Sequence, residues 1–281
     1  MKHKLLIILC CAVSMQATAQ LIPITAKKVG SFYIQWGYNR DWFSKSDIHF
    51  TGTYPDSPIS PVEARGKHYD FTLLDAKAED RPQFNHIADW NVTIPQFYYR
   101  LGYIFPGENI NGIEIAFDHV KYVMVSDQTL RVQGQLYDSA TQSVVTVDKP
   151  MVVTDNFVHF EHTNGANYMM VNFVRGMYLL RTQSEMHTIL CLVKPGAGVV
   201  IPRSDVTING VRKNNEFHIA GYVAGLDISF KYIFNDHLFL ETSAKGCYAN
   251  YTNVLTTDGN TANHHFTSFE WLFSLGYQFH I

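Results

Sequence analysis

Three observations predict an all-β chain that closes into a transmembrane antiparallel up-and-down barrel, eight strands in all. Apolar residues recur at every second position over long segments. Short and long connections alternate between those segments. Charged residues sit in mid-strand on the face opposite the aromatics.

The elements follow in order. Lys2 and Lys4 precede the apolar run Leu5 to Val13, and Ala17-Thr18-Ala19 supplies small residues for cleavage. Residues 1–19 therefore read as an export signal peptide, and 20–281 as one outer-membrane barrel domain. The apolar run is shorter than the roughly 20 residues a membrane-spanning helix needs. Phe32, Ile34, Trp36 and Tyr38 alternate with Ser31, Tyr33, Gln35 and Gly37. Phe97, Tyr99, Leu101, Tyr103 and Phe105 do the same, as do Ile113, Ile115 and Phe117. Residues 167–180 and 187–198 are strand-like but too mixed to orient. Leu226, Ile228, Phe230 and Tyr232 oppose Asp227, Ser229 and Lys231, and Leu238 and Leu240 oppose Glu241, Ser243 and Lys245. Phe269 to Ile281 closes the series, with Glu270, Ser274 and Gln278 on the other face.

Tight turns at Pro106 to Asn109, at RTQSEM and at FNDH join neighbouring strands. The remaining links, 39–93, 123–166, 199–215 and 252–264, are long. That asymmetry is expected of short periplasmic turns and long extracellular loops. Strand-like pieces in the first two long links (SDIHFTG with HYDFTLLDA; YVMV with LRVQGQLY) are expected to carry the wall above the membrane. If they entered the membrane, ten or twelve strands would result.

Hairpin register tests which face is wet. Around FNDH, one register sets Lys231 against Glu241 and Asp227 against Lys245. Around Pro106, a register with Arg100 opposite Asp118 is expected. Paired charges on one face and Phe, Tyr, Trp and Leu on the other describe a barrel turned inside out. Its apolar wall faces lipid, and closure leaves no bare strand edge in hydrocarbon. A barrel of eight strands has an interior that side chains fill, so a general diffusion pore is not expected.

Composition narrows function further. The 22 Lys and Arg fall to 20 once Lys2 and Lys4 are removed, against 25 Asp and Glu. A mildly acidic chain is a poor nucleic-acid partner. Cys191 and Cys247 alone follow the signal, so neither a disulfide framework nor a zinc pattern is expected. Cofactors and metals are expected to be none. The expected partners are outer-membrane lipid or lipopolysaccharide and an extracellular ligand, with the chain a monomer. At the long-loop ends lie His119, His159, His162, Lys194, His218, Asn250, Asn253, His264 and His265, a polar set placed for binding or for acid–base work. Gly196 to Gly198 are expected to let a strand bend at the rim.

The ending GYQFHI, with aromatics alternating to the last residue, resembles the C-terminal signal of outer-membrane β-barrel proteins. EHTNGANYMM (Glu161 to Met170) resembles the His-x-Ser-Asn motif of lipid A 3-O-deacylases. That resemblance implies an ester hydrolase with His162 as base, Thr163 as the adjacent hydroxyl, Asn164 as the motif Asn and Glu161 as the orienting acid. Thr163 stands where the family has Ser, and in a strand His162 and Thr163 point to opposite faces. The first expectation is therefore a plugged barrel whose loops bind or recognise, or brace the envelope. The hydrolase is the alternative.

Overall fold

The computed structural model describes residues 29–281 except 89, 93 and 183–185, so the expected export signal, residues 1–19, lies outside the described residues. Strands β1 (Ser31–Phe43), β2 (Ser46–Thr53), β3 (His68–Ala76), β4 (Ala78–Asp80), β5 (Phe97–Ile104) and β6 (Ile110–Asp118) come first. Next are β7 (Tyr122–Met124), β8 (Gln128–Asp138), β9 (Ser143–Val153), β10 (Val158–His162), β11 (Tyr168–Arg181) and β12 (His187–Val200). Last come β13 (Asp205–Ile208), β14 (Val211–Asn214), β15 (Gly221–Phe234), β16 (Leu238–Leu255) and β17 (Thr261–His280). No helix among the described residues is long and apolar enough to cross a membrane.

Eight of these strands close a ring in chain order, β1-β5-β6-β11-β12-β15-β16-β17, and β17 pairs back onto β1 with all neighbours antiparallel. Twelve strands share the sheet, but β2, β3, β8 and β9 fan out from the start of β17 and do not enter the ring. The outer wall is apolar: Ile34, Leu101, Ile115, Phe173, Phe230 and Trp271 are all exposed. On β17 the outward series from Phe269 to Phe279 spans about 34 Å along the strand, or ~25 Å vertically at a tilt near 40°, the height of a lipid-facing band. Aromatics collar both ends. Trp42 meets Phe269 at the long-loop end, and Phe32 meets Tyr103 and Phe279 at the other.

The inner face is wet with charge. The FNDH hairpin has the expected register, with Lys231 opposite Glu241, Asp227 opposite Lys245 and Phe230 opposite Thr242. The Pro106 hairpin does not. Phe105 N–H donates to Asn111 O, which draws the turn tighter by two residues and sets Arg100 opposite Ala116 and Tyr98 opposite Asp118. A slip of two keeps every side chain on its face. Arg100 therefore still reaches Asp118, diagonally, at 2.6 Å.

The rest of the chain builds a cap at the long-loop end. One layer is the β2-β3-β8-β9 extension; the other is a five-stranded sheet, β14-β13-β10-β7-β4. They share an apolar core that includes Ile48, Phe50, Phe71 and Val132 on one side and Tyr122, Val158, Phe160 and Val206 on the other. Phe50 meets Phe160 edge-on at 5.5 Å across it. The expectation that loop strands extend the wall holds for β2, β3 and β8. The YVM segment instead joins the second sheet as β7, next to β10 and β4.

Candidate functional site

Two regions carry the chain's polar chemistry, the lumen and the cap. In the lumen, eight buried side chains form one continuous line of alternating charge. Lys231 meets Glu241 at 3.4 Å, Glu241 meets Lys194 at 2.5 Å, and Lys194 meets Glu114 at 3.2 Å. Glu114 meets Arg100 at 3.4 Å, Arg100 meets Asp118, and Lys245 bridges Asp118 and Glu270, the latter at 3.2 Å. Lys245 turns to these carboxylates although Asp227 is its register partner. The line satisfies both signs of charge at each step, which is the condition for keeping ions out of water.

Lys194 is thus a lumen residue and not a rim residue. Even-numbered β12 side chains point inward, and its ammonium is fully buried between two glutamates. Gly196 sits in the same inward row. A side chain there would overlap Asn172, whose Nδ2 donates to Glu114 at 2.9 Å, so this glycine makes room in the lumen and does not bend a rim. Cys247 is buried on the inward side, its thiol 3.6 Å from Glu270.

The cap divides the predicted hydrolytic residues between two faces of β10. Val158, Phe160 and His162 point into the shared core; His159 and Glu161 point outward, and Thr163 continues their side. His162 is fully buried and its Nε2 lies 3.3 Å from Nε2 of His264, one ring donating and the other accepting. Tyr122, Phe160, Tyr251 and Phe266 box the pair. Burial pushes the His162 imidazole down to about 3, and burial together with the neighbouring His162 holds His264 well below its ordinary value.

On the outer side, Glu161 gathers three donors. Thr163 Oγ1 donates to it, Arg81 reaches it at 3.1 Å, and His159 Nε2 lies 3.3 Å away. Burial alone would raise this carboxyl, but the bonds from His159 and Thr163 and the Arg81 charge outweigh that and hold it at about 2. The Glu161 bond raises His159, against the opposing effect of burial, and Asp155 at 3.1 Å on its other nitrogen adds to this. Thr207 and Arg212, the latter paired with Asp205, complete a shallow open cleft with Arg81, Asp155, His159 and Glu161. A carboxylate held near 2 is a weak base, and the Thr163 hydroxyl faces it and not an imidazole. The cleft offers matched charges and hydrogen-bonding groups, the chemistry of recognition.

The other rim residues do not converge. His119 bonds Asn167 at 2.9 Å and stacks on Phe97; His218 bonds the Asn253 carbonyl; Asn250 donates to Tyr222; His265 lies against Tyr248. Among the described residues, no group of three or more His, Cys, Asp or Glu is placed to hold a metal ion. Arg81, Asp155, Thr207 and Arg212 were not legible as site residues. They come from three separate links, and the β13–β14 hairpin that presents Arg212 is only four residues per strand.

No family model and no curated protein matches the chain. Among solved structures, it is similar to the outer membrane protein OprG from Pseudomonas aeruginosa, at 10% identity over 92% of this chain and 100% of that one, with a TM-score of 0.38. It is also similar to a Pseudomonas aeruginosa FadL homologue, at 9% identity over 90% of each chain, with a TM-score of 0.17. Both superpose too loosely to lend this chain a ligand, an activity or a partner.

Proposed function

We propose that the chain is an outer-membrane barrel with a plugged lumen whose extracellular cap binds or recognises a surface ligand or braces the envelope. It is not a general pore. The observation that carries this reading is the unbroken charge line from Lys231 to Glu270, buried throughout, beneath a cap with its own core. Such a lumen would have to desolvate and part several ion pairs before a solute could pass. The cleft of Arg81, His159, Glu161, Thr207 and Arg212 is the surface most suited to an extracellular ligand with both charge and hydrogen-bonding groups. Lipopolysaccharide and other outer-membrane lipid are its surroundings, and a monomer suffices for this role.

Planar bilayer recording tests the plug. The purified chain should show no steady conductance, and pore-like unit currents would overturn the reading. Binding to arrays of charged glycans and peptides tests recognition, with Arg81→Ala plus Arg212→Ala expected to abolish any hit. In the hydrolase alternative, Thr163, Glu161 and His159 would have to act without His162, which faces the core. Mass spectrometry of lipid A from cells with and without the gene decides it; a lost acyl chain that depends on the gene would favour the hydrolase.

A further inference from the structure

We propose that the segment between β4 and β5 is a membrane-interface anchor, seating Trp90 in the leaflet beneath the cap, against the outside of β1. This rests on the lipid-facing wall, not on the recognition role. The wall sets the height. Along β1 the outward side chains run Trp36, Tyr38, Arg40 and Trp42, the mixed aromatic and basic pattern that settles at a bilayer surface. Arg40 lies 5.9 Å from the Trp42 ring and pairs with Asp80 at the start of the segment.

The segment is fastened to that surface from outside. The Tyr38 hydroxyl donates to the Val92 carbonyl at 3.2 Å, and Phe84 meets the Tyr38 ring at 6.0 Å. From the cap, Lys121 donates to the Ile94 carbonyl at 2.6 Å and to the Gln83 side chain. Fixed at both sides, the segment turns Ile87, Val92 and Ile94 outward, and Trp90 is 88% exposed. Trp90 also adopts a left-handed backbone with φ of 61°, a strained conformation for a bulky residue. A strained, fully displayed indole beside a lipid-facing Tyr is continuous with the wall it adjoins. The glycerol and upper acyl region of a bilayer is where an indole is most favourably placed. The anchor would fix the height and tilt of the cap above the membrane.

The chain has four tryptophans, so Trp36→Phe, Trp42→Phe and Trp271→Phe together leave Trp90 as the sole reporter. That protein is placed in phosphatidylcholine vesicles brominated at shallow acyl positions. Trp90 emission should shift to the blue, resist acrylamide and lose about half its intensity to bromine. Water-like emission that acrylamide quenches and bromine does not would overturn the anchor. So would protection that disappears when the protein is diluted in lipid, which would mean a second copy covers the indole. Because three substitutions in the wall could impair folding, Trp90→Phe in the otherwise unchanged chain is the second arm. It should keep heat-modifiable mobility and lose only part of the shallow-quenched emission, because Trp36, Trp42 and Trp271 remain on the lipid-facing wall; bromine-quenched emission equal to that of the unsubstituted chain would also overturn the proposal.

Discussion

The barrel and the cap are built with opposite polarity, and one strand runs through both. In the barrel half of β17, Phe269, Trp271, Phe273 and Leu275 face out and Ser268, Glu270 and Ser274 face in. In the cap half, Phe266, His264 and Ala262 face in, while His265 and Asn263 face out. The strand neither turns over nor changes parity. What changes is the medium outside it, and with it the face that carries apolar side chains. A strand's pattern therefore identifies its surroundings and not merely its inside.

The strongest way to break this contrast is to remove a charge from the lumen. Arg100→Leu takes one of two cations from each of Asp118 and Glu114, breaking the charge line at its middle, and should cost about 3–5 kcal/mol, read as a lower urea midpoint in micelles with loss of heat-modifiable mobility. Phe160→Ala makes the reciprocal test. It empties an aromatic from the cap core at a cost of about 3–5 kcal/mol, and hydrogen exchange should loosen β10 and β2 while the ring stays protected.

A third test uses one face of one strand. Leu275→Arg should cost about 2–4 kcal/mol because it sets a charge against hydrocarbon, whereas His265→Arg, outward on the same strand in the cap, should cost less than about 0.5 kcal/mol. Equal costs would mean the polarity boundary lies elsewhere.

The last test uses pH. His162 and His264 have folded-state values below the unfolded value of 6.5, so the unfolded cap takes up protons first. Cap stability should hold above about pH 6.5 and fall progressively as pH drops toward about 3. Near-ultraviolet circular dichroism of the cap aromatics should follow this loss, and His162→Phe should reduce it.

The β17 boundary also explains how much was legible. The ring strands repeat one period against one medium, so Phe269 to Phe279 and the FNDH register could be read directly. The cap strands are short, and β10 reads VHFEH, where a buried His and a buried Glu on opposite faces blur the alternation. Its partner β13 lies more than forty residues away. Pairing at that distance leaves no local signature. The deacylase-like motif fell on this strand, and strand parity had already set His162 apart from Thr163. The convergence of His159, Arg81 and Arg212 on Glu161 required the second sheet. Lys194 was misplaced for a related reason: the mixed pattern of 187–198 concealed which face was inward.

The strand shared by both halves also orders assembly in time. β2 attaches to the ring through four residue pairs, Thr261 to His264, in β17, which is synthesised after it. β3, β8 and β9 hang from β2 in turn. His162 meets His264 only when that strand arrives. The cap, although most of it is synthesised before β17, gains its His264 and Phe266 contacts only when that twenty-residue strand docks. Non-local pairing of this kind is slow. Its two sheets should therefore gain their last protection in step with ring closure, and a chain stalled before β17 should display them unsealed.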